Sequence, residues 1–367
     1  MAAVAVPSLL LVAGCSIVPT PGSAPVMAGI PVPDQAMGYV VCPNAVTPVE
    51  LATHTAEPPI ALPVQGTPAL GSFAVATAPD GRSAYVLTQT TPPRGATRDV
   101  VIPIDLVTQR AGRPIVLPGT GPTHAVVVMH NGVTVLAAVG TTIVPVDSAT
   151  RAVGTPLALG PGHTVYGMAL SPTSSMLYAL VSDAVIPVDT STAKAGAPIS
   201  TGLGVSSESS PHGVVVSTDG STVFVVGQGG SDFGGRLAPI ATATGAVGTV
   251  TSFDQFGLAD PAAVAITADG STAFVADSAN NWVVPVALSH LGTPSTPVRL
   301  PTGDPAAAGT DHPSDIVTGP ASTGEFVVTG LDTVLPLAPA TGKFGLPIRV
   351  CAGASSMAVT AGTVQAP

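Results

Sequence analysis

A chain of 367 residues that is 46% hydrophobic and only 9% charged can bury a large core and is not globally disordered. Its formal net charge is −10 and it has no cluster of Lys or Arg, which argues against nucleic-acid binding and against docking on anionic lipid through a basic patch. The 41 Gly and 39 Pro fall between runs of Val, Thr and Ile, the composition of many short strands and turns, so the length reads as one all-β repeat unit.

In chain order, the first residues, MAAVAVPSLLLVAGCS, are an apolar run too short to span a bilayer. The run ends in Val12-Ala13-Gly14-Cys15, which resembles the lipobox of bacterial lipoproteins, although no Lys or Arg precedes it. That resemblance implies a signal peptide over residues 1–14, a lipidated Cys15, and a mature chain held outside the cytoplasmic membrane by lipid alone. Residues 15–37 are rich in Pro, Gly and Ser without periodicity, which predicts a semi-extended tether.

From residue 38 to 367 one phrase recurs. Ile143-Val144-Pro145-Val146 and Val185-Ile186-Pro187-Val188 are nearly the same run, and related runs surround Pro48, Pro103, Pro239, Pro285 and Pro336. Successive prolines are 42 to 55 residues apart, a period that fits four short strands per unit. Within a unit, an apolar run such as residues 262–267 leads into a turn such as Asp269-Gly270, then a second run, the Pro-containing third run, and a short fourth. Asp105, Asp147 and Asp189, each with a Thr three residues on, are expected to cap the turn after the third run. A Pro in that run removes a ladder donor and predicts a strand near a sheet edge. The chain begins with a second-strand pattern (GYVVC) and ends with an unpaired first-strand pattern (SSMAVT). Joined, the two complete one unit.

Units such as SPHGVVVSTDGSTVFVV resemble the YVTN-type repeats of bacterial surface β-propellers, most clearly near Ser72, Pro211 and Pro261. The resemblance implies a ring of four-stranded antiparallel blades, and the seven recurrences with the split terminal unit predict a seven-bladed β-propeller, one blade closed by the N- and C-terminal strands. A propeller can host many roles, so fold alone does not assign one.

With Cys15 taken by lipid, Cys42 and Cys351 remain. Cys42 ends the second strand of the split blade and Cys351 follows the outer strand of the preceding blade, so both fall on one face at the closure seam. A Cys42–Cys351 disulfide is expected; the alternative is two unrelated buried thiols. Aligning the first strands places Phe73, His124, Tyr166, His212, Ala262, Ser314 and Ser355 at equivalent positions near the axial mouth. His124, Tyr166 and His212 come from consecutive blades, and His163 and His312 lie in neighbouring entry loops. Phe73 and these residues are the candidate ligand-binding set, although a water-filled channel tolerates such side chains without any ligand.

No motif marks a metal, a cofactor or a catalytic group. Two readings therefore stand. One is a monomeric binding or scaffolding module for an envelope protein or small ligand. The other is a propeller hydrolase resembling lactonases, working at the axial mouth.

Overall fold

The computed structural model describes residues 36–66, 74–119, 121–122, 125–204, 213–229, 234–301, 312–320 and 323–360. These residues form seven antiparallel sheets. Blade 1 combines residues 37–61 with 356–359; blades 2 to 4 span 74–116, 126–158 and 167–200, blade 5 combines 203–204 with 214–252, and blades 6 and 7 span 261–299 and 313–349. Their first strands neighbour one another in cyclic order from blade 1 through blade 7 and back to blade 1. The chain is a seven-bladed β-propeller.

Blade 6 shows how the repeat grammar becomes structure. Its strands are Pro261–Ile266, Thr272–Asp277, Trp282–Ala287 and Val298–Arg299, paired in that order. Alternate side chains on such strands point to opposite faces. In a propeller both faces are covered by neighbouring blades, so strands read as continuous apolar runs rather than alternating ones. Val40 and Cys42 pack toward blade 7, while Tyr39 and Val41 pack toward blade 2. Seven such apolar clusters, each shared by two adjacent blades, make up the core of the described residues.

The repeated proline has a fixed environment. Each stands opposite a large side chain of the second strand: Tyr39, Tyr85, Leu136, Tyr178, Phe224, Phe274 and Phe326 face Pro48, Pro103, Pro145, Pro187, Pro239, Pro285 and Pro336. Six of the chain's twelve Phe and Tyr residues serve this one position. The proline carbonyl still accepts a bond from the outer segment, for example from the Gly112 N–H to Pro103 (2.7 Å) and from Gly196 to Pro187 (2.7 Å). The missing N–H, however, lets the outer strand bulge. In blade 4 it pairs as two fragments, Lys194–Ala195 and Ile199–Ser200, on either side of the proline. The third strand is therefore an interior strand whose outer neighbour is broken, which is how the sheet absorbs the lost donor.

The ring closes as the split pattern predicts. Met37–Cys42 pairs with the C-terminal strand Ser356–Val359, and the Thr360 N–H donates to the Met37 carbonyl (2.8 Å). Cys42 and Cys351 form a disulfide with their Cα atoms 6.0 Å apart, inside the normal bridging range. The Thr47 hydroxyl donates to the Cys351 sulfur at 3.1 Å.

Candidate functional site

The meander gives the ring two ends. Loops entering each first strand and turns between second and third strands share the entry end, which also carries the Cys42–Cys351 bridge. Turns after the first and third strands share the other, the hairpin end.

At the entry end, the registers place Tyr166, Ala262, Ser314 and Ser355 three residues ahead of the first-strand residue in line with the repeat proline. Tyr166 is half-buried, and its backbone N–H donates to Leu180 (2.9 Å). His163 is half-buried, with ring Nδ1 2.8 Å from the Leu159 carbonyl, a contact that shapes its own loop. His312 is exposed, and its carbonyl accepts the Gly330 N–H. No hydrogen bond joins His163 to His312 among the described residues. Phe73, His124 and His212 lie outside the described residues, as does Cys15. Asp315, the described acid nearest this set in sequence, is fully buried and bonded to the backbone N–H groups of Ile316 and Met357. Among the described residues no group of three or more His, Cys, Asp or Glu could hold a metal ion.

The hairpin end is built from carboxylates. Asp189 Oδ1 accepts the Ser191 N–H (2.9 Å) and hydroxyl (2.6 Å), and Oδ2 accepts the Thr192 hydroxyl (2.9 Å), so the expected turn cap is present. Asp105 and Asp147 likewise accept from Thr108 (2.9 Å) and Thr150 (2.8 Å). Asp219 accepts the Ser217 hydroxyl (2.6 Å) and the Ser221 N–H (2.9 Å), while Gly220 takes φ +74°. These bonds favour the ionised form and hold Asp189 and Asp219 at a pKa of about 2. Each carboxylate shapes its own turn, as the sequence predicts.

Glu325 is different. It opens the second strand of blade 7, opposite Leu337, and is 2% exposed. Burial pushes its carboxyl up to about 7, and the Asp269 charge adds to the shift. Its Oε2 has no hydrogen-bond partner. The Thr318 hydroxyl donates instead to the Ile266 carbonyl (2.6 Å), tying blade 7 to blade 6. A cleft of about 290 Å³ lies against Glu325, lined also by Thr267, Asp269, Pro320, Gly324 and Pro339. Sequence reasoning placed no site here, because its candidates all lay near the axial mouth. The signal lay in the alignment on the repeat proline, where the residue preceding the proline-facing one is Gly38, Ala84, Val135, Leu177, Val223 and Ala273 in the other blades.

No protein-family model and no curated protein matches the chain. Solved structures do. A periplasmic gluconolactonase of Pseudomonas aeruginosa aligns over 89% of this chain and 99% of its own, at 15% identity and a TM-score of 0.64. A hydrazine synthase chain of Kuenenia stuttgartiensis aligns over 84% and 90%, at 14% identity and a TM-score of 0.60. A functionally unknown protein of Desulfotomaculum acetoxidans aligns over 88% and 98%, at 14% identity and a TM-score of 0.60. At these identities the likeness is one of fold.

Proposed function

We propose that the chain is a lipid-anchored, extracytoplasmic propeller of the YVTN-repeat kind that binds or scaffolds an envelope protein or small ligand at its entry end. The observation that carries this reading is the Cys42–Cys351 bridge at the ring seam. Structural disulfides persist in oxidising compartments, which agrees with a lipidated Cys15 and a tether over residues 15–37. A ring latched at its seam also suits a rigid platform. Two described polar groups at the entry end, His163 bonded to Leu159 and Asp315 bonded to Met357, serve the backbone, which supports a fixed presenting surface.

Three measurements test it. Cys15→Ala should move the protein from the detergent phase to the aqueous phase of a cloud-point extraction. A photo-crosslinking amino acid at position 124, 166 or 212 in the native envelope should yield a discrete adduct, or native mass spectrometry should recover a bound small molecule. The same probe at Val116, exposed on an outer strand, should yield none. Absence of both adduct and bound ligand sinks the reading.

The gluconolactonase neighbour supports a second reading, a hydrolase acting on a lactone at the same mouth. Hydrolysis of glucono-1,5-lactone by the purified chain, lost in His124→Ala or His212→Ala, would replace the binding reading with this one.

A further inference from the structure

The repeat wants a small or apolar residue where Glu325 stands. Five of its six counterparts, Ala84, Val135, Leu177, Val223 and Ala273, sit fully buried in the inter-blade cores. A carboxyl in such a place costs several kcal/mol unless partnered, and Oε2 has no partner within the protein. Glu325 is itself one of the residues lining the cleft between blades 6 and 7. Its walls are the rings of Pro320 and Pro339 with Ala268 and Ala340, and among the described residues Asp269 is the only other ionisable one lining it. Asp269 Oδ1 is already engaged by the Thr267 hydroxyl (2.6 Å) and the Ser271 N–H (3.0 Å), so it stays anionic at the rim. Among the described residues the site thus has apolar walls, an exposed carboxylate in Asp269, an almost fully buried one in Glu325, and no lining cation.

We propose that this cleft binds small primary alkylammonium compounds, with Glu325 as the buried counter-ion, Asp269 as the rim charge and the two prolines packing the alkyl chain. This site is on the hairpin end and is independent of the reading of the entry end. Two carboxylates without a third ligand do not suit a metal ion. A volume near 290 Å³ is at the small end of ligand pockets, enough for a chain of a few carbons. Binding converts a protonated Glu325 and a free ammonium into an ion pair plus one proton released to solvent. Affinity therefore rises with pH until Glu325 is ionised in the free protein. Asp269, from the facing turn of blade 6, is the other charge among the lining residues and remains ionised throughout.

The test is calorimetric titration of the purified full chain with n-butylamine hydrochloride and with n-butanol, its neutral counterpart. Saturable binding is expected for the ammonium at pH 7.5, at least about tenfold weaker at pH 5.5, and at least about tenfold weaker for butanol, following the proton linkage of one carboxyl. Heat should depend on the buffer's ionisation enthalpy, reporting the released proton. Glu325→Ala, which installs the residue that blade 6 carries at Ala273, should abolish ammonium binding in a folded ring, and Asp269→Asn should weaken it several-fold. The Glu325 side-chain 13C resonance should titrate at lower pH with butylammonium present. Equal binding of butanol, unchanged binding in Glu325→Ala, or no saturable heat and no shift of that titration overturns the proposal.

Discussion

Asp315 Oδ2 accepts the backbone N–H of Met357 at 2.9 Å, while Oδ1 accepts the N–H of its neighbour Ile316 at 2.8 Å. The bond joins the first strand of blade 7 to the C-terminal strand of blade 1, so a buried carboxylate holds the last open seam of the ring. Removing it leaves buried donors unpaired, at a cost of about 1–3 kcal/mol. Asp315→Ala should lower the denaturation midpoint accordingly, while an unchanged midpoint would show that the bond does not hold the seam.

The disulfide acts on the same seam. Cys42 and Cys351 are 309 residues apart, and closing a loop of that length stabilises by about 5 kcal/mol at most on chain-entropy grounds. A Cys42→Ser, Cys351→Ser double variant should unfold at lower denaturant with a steeper dependence on concentration, because more surface is exposed on unfolding. Reducing the parent protein should reproduce that curve, and a curve unaffected by reduction would deny the latch any stabilising role.

Glu325 makes stability depend on pH in the neutral range. Its folded pKa of about 7 lies above the ordinary value of 4.5, so the folded state binds the proton more tightly than the unfolded chain. The contribution is fully present below pH 4.5 and is lost as pH rises through 7. A shift of that size corresponds to about 3 kcal/mol. Glu325→Ala should flatten the profile between pH 5 and 8 and be the more stable protein at pH 8. A profile of equal slope in both would refute this assignment.

The turn carboxylates act in the opposite window. Asp189 and Asp219 are held at about 2, below the ordinary value of 3.8, so what they contribute is present above 3.8 and is lost as pH falls toward 2. Asp189→Asn should blunt the acid limb of the stability profile and leave the neutral limb governed by Glu325 untouched.

In five of the seven blades the outer residue that donates to the proline carbonyl is a glycine packed against the proline ring. A Cβ on Gly112 would lie 3.0 Å from the Pro103 ring and 3.3 Å from its carbonyl, whereas one on Gly204 meets nothing within 4 Å. Gly112→Ala should cost about 1 kcal/mol or more through overpacking, and Gly204→Ala should cost none. Thermal unfolding of the pair tests the contrast.

The blades were legible in the sequence because their determinants are local. A run of apolar residues, an Asp-Gly turn and a Pro-marked third strand each report themselves within ten residues, and counting prolines counts blades. The Cys42–Cys351 pairing followed from strand order alone, since strand order dictates which end each cysteine reaches. What lay hidden was Glu325. It is unremarkable among its chain neighbours and becomes anomalous only when set beside Ala273 and Val223, on strands that meet different blades. The entry-end candidates show the converse. His163 looked chemical in the chain, yet its ring is bonded to the Leu159 carbonyl, a fact that depends on loop geometry and not on residue type.

The broken outer strands have a consequence beyond the single ring. A sheet edge is dangerous when it offers another molecule a long row of free backbone groups. Here each perimeter strand offers at most two residues in a row, and in blades 1, 2, 4 and 7 a second two-residue piece follows on the far side of the bend. A neighbouring copy finds no template long enough to zip onto, so a chain this rich in exposed strand edges can be crowded together without polymerising through them.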